Sequence, residues 1–313
     1  MIEIKELCKS YGDKKAVKGI SFCVDKGEIL GLLGPNGAGK STTMNMITGY
    51  ISMTSGSVLV NGVDVLEKPL EAKKMIGYLP EQPPLYLDMT VWEYLNFVYE
   101  LKKVKMNISK KDHLEDVMNT VSIQDVKKRK IKNLSKGYKQ RVGFAQALIG
   151  KPEVLILDEP TVGLDPNQIV EIRDVIRRLK KEHTIIFSTH ILSEAGELCD
   201  RVAIVNEGTI VAIGSADELN KNYESGFEIS LAVNACPEGL IDELRAIEGV
   251  NNVIKTDELT FDIKAEVNVS SLISDVCYKN HVYITELKNS QPTLEKMFAK
   301  LTKSGGDMNE SNI

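Results

Sequence analysis

The run Gly34-Pro35-Asn36-Gly37-Ala38-Gly39-Lys40-Ser41-Thr42 carries the most specific chemistry in this 313-residue chain. It follows the apolar segment Ile29-Leu30-Gly31-Leu32-Leu33 and leads into residues of helical pattern, so a G-x-x-x-x-G-K-[ST] loop sits between a strand and a helix. Glycines let a backbone curl around an anion, and successive N–H groups together with the positive helix end then point at a phosphate. Lys40 is spaced to reach the β- and γ-phosphates of a nucleoside triphosphate, and the Ser41 hydroxyl to ligate Mg²⁺. A second constellation closes the apolar run Val154-Leu155-Ile156-Leu157, which ends in Asp158-Glu159-Pro160. Ligands gather at the carboxyl ends of strands in open α/β sheets. Asp158 there suits the Mg²⁺ shell, and Glu159 suits a base that polarises the water attacking the γ-phosphate.

Between these elements lies Leu134-Ser135-Lys136-Gly137-Tyr138-Lys139-Gln140-Arg141, in which Ser135 is a good N-cap for a helix running through Ala145, Leu148 and Ile149. Together with the phosphate loop, Asp158-Glu159, Gly163-Leu164-Asp165-Pro166 and His190, this segment resembles the ATP-binding subunit of ABC transporters over residues 1 to 220. That family's signature is Leu-Ser-Gly-Gly-Gln, so the chain departs at Lys136 and Tyr138 while keeping Ser135 and Gly137. The Ser-Lys-Gly-Tyr form is similar to that of ABC-2-type exporter ATPases.

The resemblance implies roles for further positions. Ser135 and Gly137 would present a helix N-terminus to the γ-phosphate of ATP held by an opposite subunit. Tyr11, in a polar turn after the alternating Ile2, Ile4 and Leu7, matches the adenine-stacking aromatic. Gln82 matches the glutamine that meets Mg²⁺ or the attacking water and links the site to a membrane partner; Pro83 and Pro84 behind it require a loop. His190, after the apolar run Thr184-Ile185-Ile186-Phe187, matches the switch histidine on the γ-phosphate, and Asp165 the loop that crosses the dimer interface.

Composition bounds the remaining classes. Lys and Arg number 39 against 44 Asp and Glu, a formal charge of −5, so the basic field that nucleic-acid binding requires is missing and no nucleic-acid partner is expected. The cluster Lys127-Lys128-Arg129-Lys130 reads as a solvated loop or a headgroup-facing edge. Five cysteines, at 8, 23, 199, 236 and 277, form neither a C-x-x-C pair nor an even framework, and read as free thiols of a reducing cytosol. No apolar stretch is long enough to span a bilayer, and Met1-Ile2-Glu3-Ile4-Lys5 lacks the order of a signal peptide.

The expected fold is α/β: a P-loop NTPase ABC ATPase core, RecA-like sheet plus antiparallel β subdomain, with a helical signature lobe and a small C-terminal α+β, ferredoxin-like domain. Domain one covers residues 1–220, with hairpins expected at Asp25-Lys26-Gly27, Asn61-Gly62 and Asn206-Glu207-Gly208. Its helical lobe is placed at about 90–150, opened by the capping box Thr90-Val91-Trp92-Glu93 and continued by Leu95, Val98 and Leu101 at helical spacing. Domain two, accessory or regulatory, covers 226–301 in the order βαββαβ, with helices around Leu240/Leu244 and Leu272/Val276 and strands at 227–233, 250–255, 259–265 and 282–287. A helix at Thr293–Phe298 follows, and residues 302–313 are expected to be a disordered tail.

These features imply an ATP- and Mg²⁺-dependent ATPase that works as two head-to-tail copies beneath a separately encoded permease, at the cytoplasmic face of the membrane. The alternative is a soluble, non-transport ABC ATPase, regulatory or ribosome-associated; one acting on ribosomes would normally carry two phosphate loops, and one is found here. Leu85, Tyr86 and Leu87 either line a groove for a short helix of the permease or staple the lobe's own core.

Overall fold

The computed structural model describes residues 1–216, 218, 219, 227–290 and 298, and it divides into two compact units, Met1–Ser215 and Ala216–Ile313. The expected helix at Thr293–Phe298 (apart from Phe298) and the tail at 302–313 lie outside the described residues.

In the first unit a six-stranded sheet has the order β10-β9-β3-β8-β7-β6. Its parallel members are β3 (Ile29–Leu33), β6 (Ile76–Leu79), β7 (Val154–Leu157), β8 (Thr184–Thr189) and β9 (Arg201–Asn206), and β10 (Thr209–Gly214) is an antiparallel edge. Every residue of β7 is buried because the strand feeds two cores: Val154 and Ile156 enter one, Leu155 and Leu157 the other. Continuous apolar runs are what a parallel strand covered on both faces requires. A second, antiparallel sheet lies in the order β2-β1-β4-β5, formed by β1 (Ile2–Tyr11), β2 (Lys14–Val24), β4 (Ser55–Val60) and β5 (Val63–Asp64). Its inward residues, among them Ile2, Ile4, Leu7 and Val58, share a core with Leu30, Leu32 and Ile186 of the parallel sheet.

Two of the expected hairpins form. Asn61 and Gly62, at φ 49° and 79°, join β4 to β5, and Glu207 and Gly208, at 47° and 82°, join β9 to β10. Both central residues are left-handed, as tight hairpins that match strand twist demand. The third expectation is corrected. Asp25-Lys26-Gly27 is a turn between layers, because β3 pairs with β8 and β9 and leaves β2 in the other sheet. With all five of its residues buried, β3 fits only a doubly covered position in mid-sheet.

The helical lobe comprises α3 (Val91–Leu101), α4 (Lys110–Thr120) and α5 (Lys136–Leu148). The Thr90 hydroxyl accepts the Glu93 N–H at 3.2 Å while the Glu93 carboxylate accepts the Thr90 N–H at 2.8 Å, completing the capping box. Leu95 and Val98 are buried, but Leu101 is 67% exposed, contrary to the spacing argument. Each three-residue step turns about 60° short of a full circle, so a third member has rotated off the buried stripe. Ile149 caps α5 in an extended conformation and does not continue it. Helix α5 lies close on β6: a β-carbon on Gly77 would meet the Ala147 carbonyl at 2.4 Å, and one on Gly143 would meet Leu79 and Pro83 at 2.7 Å. The remaining helices of this unit include α1 (Lys40–Ile47), α2 (Pro69–Met75), α6 (Pro166–Leu179) and α7 (Leu192–Leu198).

The second unit has β11 (Phe227–Val233), α8 (Leu240–Arg245), β12 (Val250–Asp257), β13 (Thr260–Ala265), α9 (Ser270–Lys279) and β14 (Ile284–Ser290). Its sheet is antiparallel in the order β12-β13-β11-β14, the ferredoxin-like arrangement of a βαββαβ chain. Its own core gathers Leu231, Leu240, Leu244, Phe261 and Ile263. On α9 the buried pair is Ile273 and Cys277; Leu272 is 42% exposed and Val276 packs only at the margin. Among the described residues no helix is long and apolar enough to cross a membrane.

Phe144, fully buried in α5, sets a test of this core. Phe144→Ala is expected to destabilise the protein by about 3–5 kcal/mol, and Leu101→Ala by less than about 0.5 kcal/mol, in urea unfolding followed by tryptophan fluorescence. Equal losses in the two variants would contradict the assignment of the lobe's buried face.

Candidate functional site

A cleft of about 630 Å³ is lined by Pro35–Thr42, Tyr11, Glu159 and His190. Gly37 and Gly39 take φ values of 83° and 106°, which lets the loop curl and opens α1 at Lys40 with its N-terminus on the cleft. A β-carbon on Gly34 would stand 2.2 Å from the Val205 carbonyl, so only glycine allows the loop to lie against β9. The β9–β10 turn clamps the same loop, since Gly208 N–H donates to the Ala38 carbonyl at 2.9 Å and Lys18 N–H donates to the Gly208 carbonyl at 2.7 Å.

Beneath the loop the charged groups converge. The Lys40 ammonium donates to the Gly34 carbonyl at 2.7 Å and to the Pro35 carbonyl at 3.3 Å, and stands 3.3 Å from Glu159 Oε1. A lysine has three donors, and the two contacts at 3.3 Å are the ones a phosphate oxygen can displace. The other Glu159 oxygen lies 2.9 Å from His190 Nδ1. Asp158 Oδ1 accepts the Ser41 hydroxyl at 3.1 Å and the Ser188 hydroxyl at 2.6 Å, and the Glu159 N–H donates to Ser188 Oγ at 2.9 Å. Burial pushes the Asp158 carboxyl above its ordinary value; the Ser188 and Ser41 hydrogen bonds and the Lys40 charge oppose that rise, and the Glu159 charge adds to it.

A buried carboxylate beside one hydroxyl is a set of hard oxygens that fits Mg²⁺, which takes one or two protein ligands and completes its octahedron with phosphate and water. A cation on Oδ1 would also offset the cost of burying that charge.

Tyr11 ends β1 opposite Lys14, is 52% exposed, and lines the cleft. Gln82 is exposed in the bend before Pro83 and does not line the cleft, whereas its neighbour Glu81 does. Ser135, Gly137 and Asp165 do not line it either. They gather elsewhere: Ser135 caps α5, Asp165 caps α6 by accepting the Gln168 N–H at 3.0 Å, and Gly137 is buried under the Gln168 side chain, which lies where its β-carbon would stand. Lys136 extends its ammonium over Gly163 in the loop that leads to Asp165.

Sequence reasoning missed Lys14, Lys15 and Lys18, which line the cleft beside Tyr11, and it missed Ser188. The signal for Ser188 was a hydroxyl directly after the apolar run Ile185-Ile186-Phe187, since a buried hydroxyl needs a hydrogen-bond partner.

Known proteins resemble this chain in sequence and in fold. The sequence profile of the ABC transporter family matches residues 17–162. The linearmycin resistance ATP-binding protein LnrL of Bacillus subtilis (strain 168) is 37% identical over 96% of this chain and 98% of its own length. The bacitracin transport ATP-binding protein BcrA of Bacillus licheniformis is 34% identical over 97% of this chain and 98% of its own. A solved ATP-binding subunit of an ABC transporter superposes with a TM-score of 0.64 at 30% identity, covering 71% of this chain and 93% of that one. The chain therefore belongs to the ABC transporter family, as one of its ATP-binding, ATP-hydrolysing subunits.

Proposed function

We propose that this chain is the ATPase subunit of an ABC-2-type exporter, working as a head-to-tail pair beneath a separately encoded permease at the cytoplasmic face of the membrane. The carrying observation is that Ser135, Gly137 and Asp165 gather at the starts of α5 and α6, around Gln168, and line no part of the cleft of their own chain. A phosphate loop and a signature on one chain complete each other's sites across a two-fold axis, which closes the pair. The names of LnrL and BcrA, resistance and transport, support export as the direction of work.

In this reading Tyr11 stacks on the adenine, the Pro35–Thr42 backbone and Lys40 hold the phosphates, and the partner copy's signature closes over the γ-phosphate. Ser41 and Asp158, with Gln82 as a further candidate, would hold Mg²⁺, which when bound would supply positive charge to offset that developing on the β- and γ-phosphates. Glu159 accepts a proton from water as the water oxygen attacks the γ-phosphorus and the bond to the β–γ bridging oxygen breaks. His190, 2.9 Å from Glu159, fixes the direction of that carboxylate and turns its other face to the γ-phosphate. Binding joins the pair and hydrolysis releases it, a two-state switch for the membrane partner. Residues 226–301 act as an accessory or regulatory domain.

The link to the permease is read at the loop after Gln82. Leu85, half-buried, packs against the lobe's core, which is the stapling alternative for that residue. Tyr86 and Leu87 are 54% and 50% exposed. The Tyr86 ring meets Phe97 edge-on at 5.4 Å and Tyr94 at 6.1 Å, which leaves a partly apolar patch at the start of α3 for a cytoplasmic helix of the permease.

Three outcomes are expected. Glu159→Gln keeps ATP binding and slows hydrolysis by at least ~100-fold, with ATP-dependent dimers accumulating on size exclusion; unchanged turnover would remove Glu159 from the base role. Lys40→Ala abolishes nucleotide binding or hydrolysis, while Tyr11→Ala weakens binding by about 1–3 kcal/mol in calorimetry if stacking is its contribution. Replacing Tyr86 and Leu87 by Asp abolishes co-purification with the permease while basal ATPase and thermal stability stay near wild type; retained co-purification would sink the groove.

A further inference from the structure

Ser188 is an anomaly of burial. It is fully buried in β8, directly after Ile185, Ile186 and Phe187, at a mid-sheet position where an apolar side chain would satisfy packing. A hydroxyl placed there is costly unless both its donor and its acceptor capacity are used. Both are. Ser188 Oγ donates to Asp158 Oδ1 at 2.6 Å, the short distance of a hydrogen bond to a carboxylate, and accepts the Glu159 N–H at 2.9 Å.

The two groups it joins are consecutive in the chain and face different tasks. Asp158 Oδ1 is the oxygen shared with Ser41, hence the one that would meet a cation held by that hydroxyl. Glu159 takes φ 46°, a left-handed conformation that costs a residue with a β-carbon. Turning the peptide between them back to an ordinary conformation would swing the Glu159 carboxylate away from Lys40, at 3.3 Å, and His190, at 2.9 Å. Ser188 does not line the cleft, so any influence on the reaction passes through these two residues.

We infer that Ser188 is a positioning residue for ATP hydrolysis: its buried hydroxyl aims Asp158 Oδ1 at the cation and holds the Glu159 backbone so that its carboxylate stays between Lys40 and His190. This rests on the roles of Asp158 and Glu159 proposed above. Ser188 thereby couples metal geometry to base geometry through one oxygen. Partners that orient metal ligands typically change affinity or activity by about 10–100-fold when removed.

The test compares Ser188→Ala and Ser188→Thr with wild type and Glu159→Gln in the full chain. Turnover of Ser188→Ala is expected to fall about 10–100-fold with KM for ATP within about twofold, because the phosphate loop is untouched. A second readout needs no turnover: Mn²⁺ is titrated into the chain loaded with a non-hydrolysable ATP analogue, and free Mn²⁺ is followed by electron spin resonance. Its affinity is expected to drop about tenfold in Ser188→Ala and to recover in Ser188→Thr, which keeps the hydroxyl. Should the extra methyl lower the melting temperature, Ser188→Cys, a weaker donor of similar size, is expected to fall between Ala and wild type. Wild-type turnover and Mn²⁺ affinity in folded Ser188→Ala would overturn the inference, as would a loss of nucleotide affinity and melting temperature in step with turnover. If Glu159→Gln is inactive and Ser188→Ala is normal, only this inference fails; if Glu159→Gln turns over normally, the proposed base role fails whatever Ser188 does.

Discussion

One buried corner holds two carboxylates and an ammonium, and much of the cassette exists to keep them charged there. Asp158, Glu159 and Lys40 are each less than a tenth exposed. Burying an ion costs several kcal/mol, which a partner recovers only when geometry and further hydrogen bonds are good. Lys40 is held by loop carbonyls and Glu159, Asp158 by two serine hydroxyls, and Glu159 by His190. Apart from Lys40 and Ser41, which open α1, the fixed partners come from β3, β7 and β8 or from residues just beyond their ends, so strand order helps bring the charges together.

That dependence explains the doubly covered sheet. A ladder with water on one face would admit water to the corner and weaken every contact in it. Here α5 seals one side, seated on β6 through Gly77 and Gly143, and β6 continues into the site where the Asp158 N–H donates to the Leu79 carbonyl at 2.8 Å. The signature helix and the carboxylate strand are thus mounted on the same rigid edge. On the opposite face the antiparallel sheet closes the second core, and its first hairpin delivers Tyr11 and Lys14 to the cleft.

What was legible in the sequence was whatever depends on short spacing. The phosphate loop, the Asp158-Glu159 pair, the Thr90 capping box and the Asn61-Gly62 turn are local devices, and each forms where its residues stand. The errors lie where tertiary context decides. Asp25-Lys26-Gly27 has the chemistry of a hairpin, but burial on both faces sends β3 to mid-sheet. Leu101 continues a three-residue spacing that outruns the buried stripe. Ser188 escaped because its partners stand 29 and 30 residues away, and only strand pairing makes them neighbours.

The same pairing sets what could move together. Thr189, beside His190, donates its hydroxyl to buried Glu194 of α7 at 2.8 Å, and Glu194 faces Arg173 of α6 at 3.6 Å. Arg173 also holds Glu197 of α7 at 2.8 Å. Helix α6 is therefore tied to α7 at Arg173, while its start is capped by Asp165 in the loop that Lys136 overlies. The Thr189 hydrogen bond in turn ties α7 to the end of β8. The next residue, His190, lies 2.9 Å from Glu159, so a continuous series of polar contacts runs from α6 through α7 and the end of β8 to the buried corner.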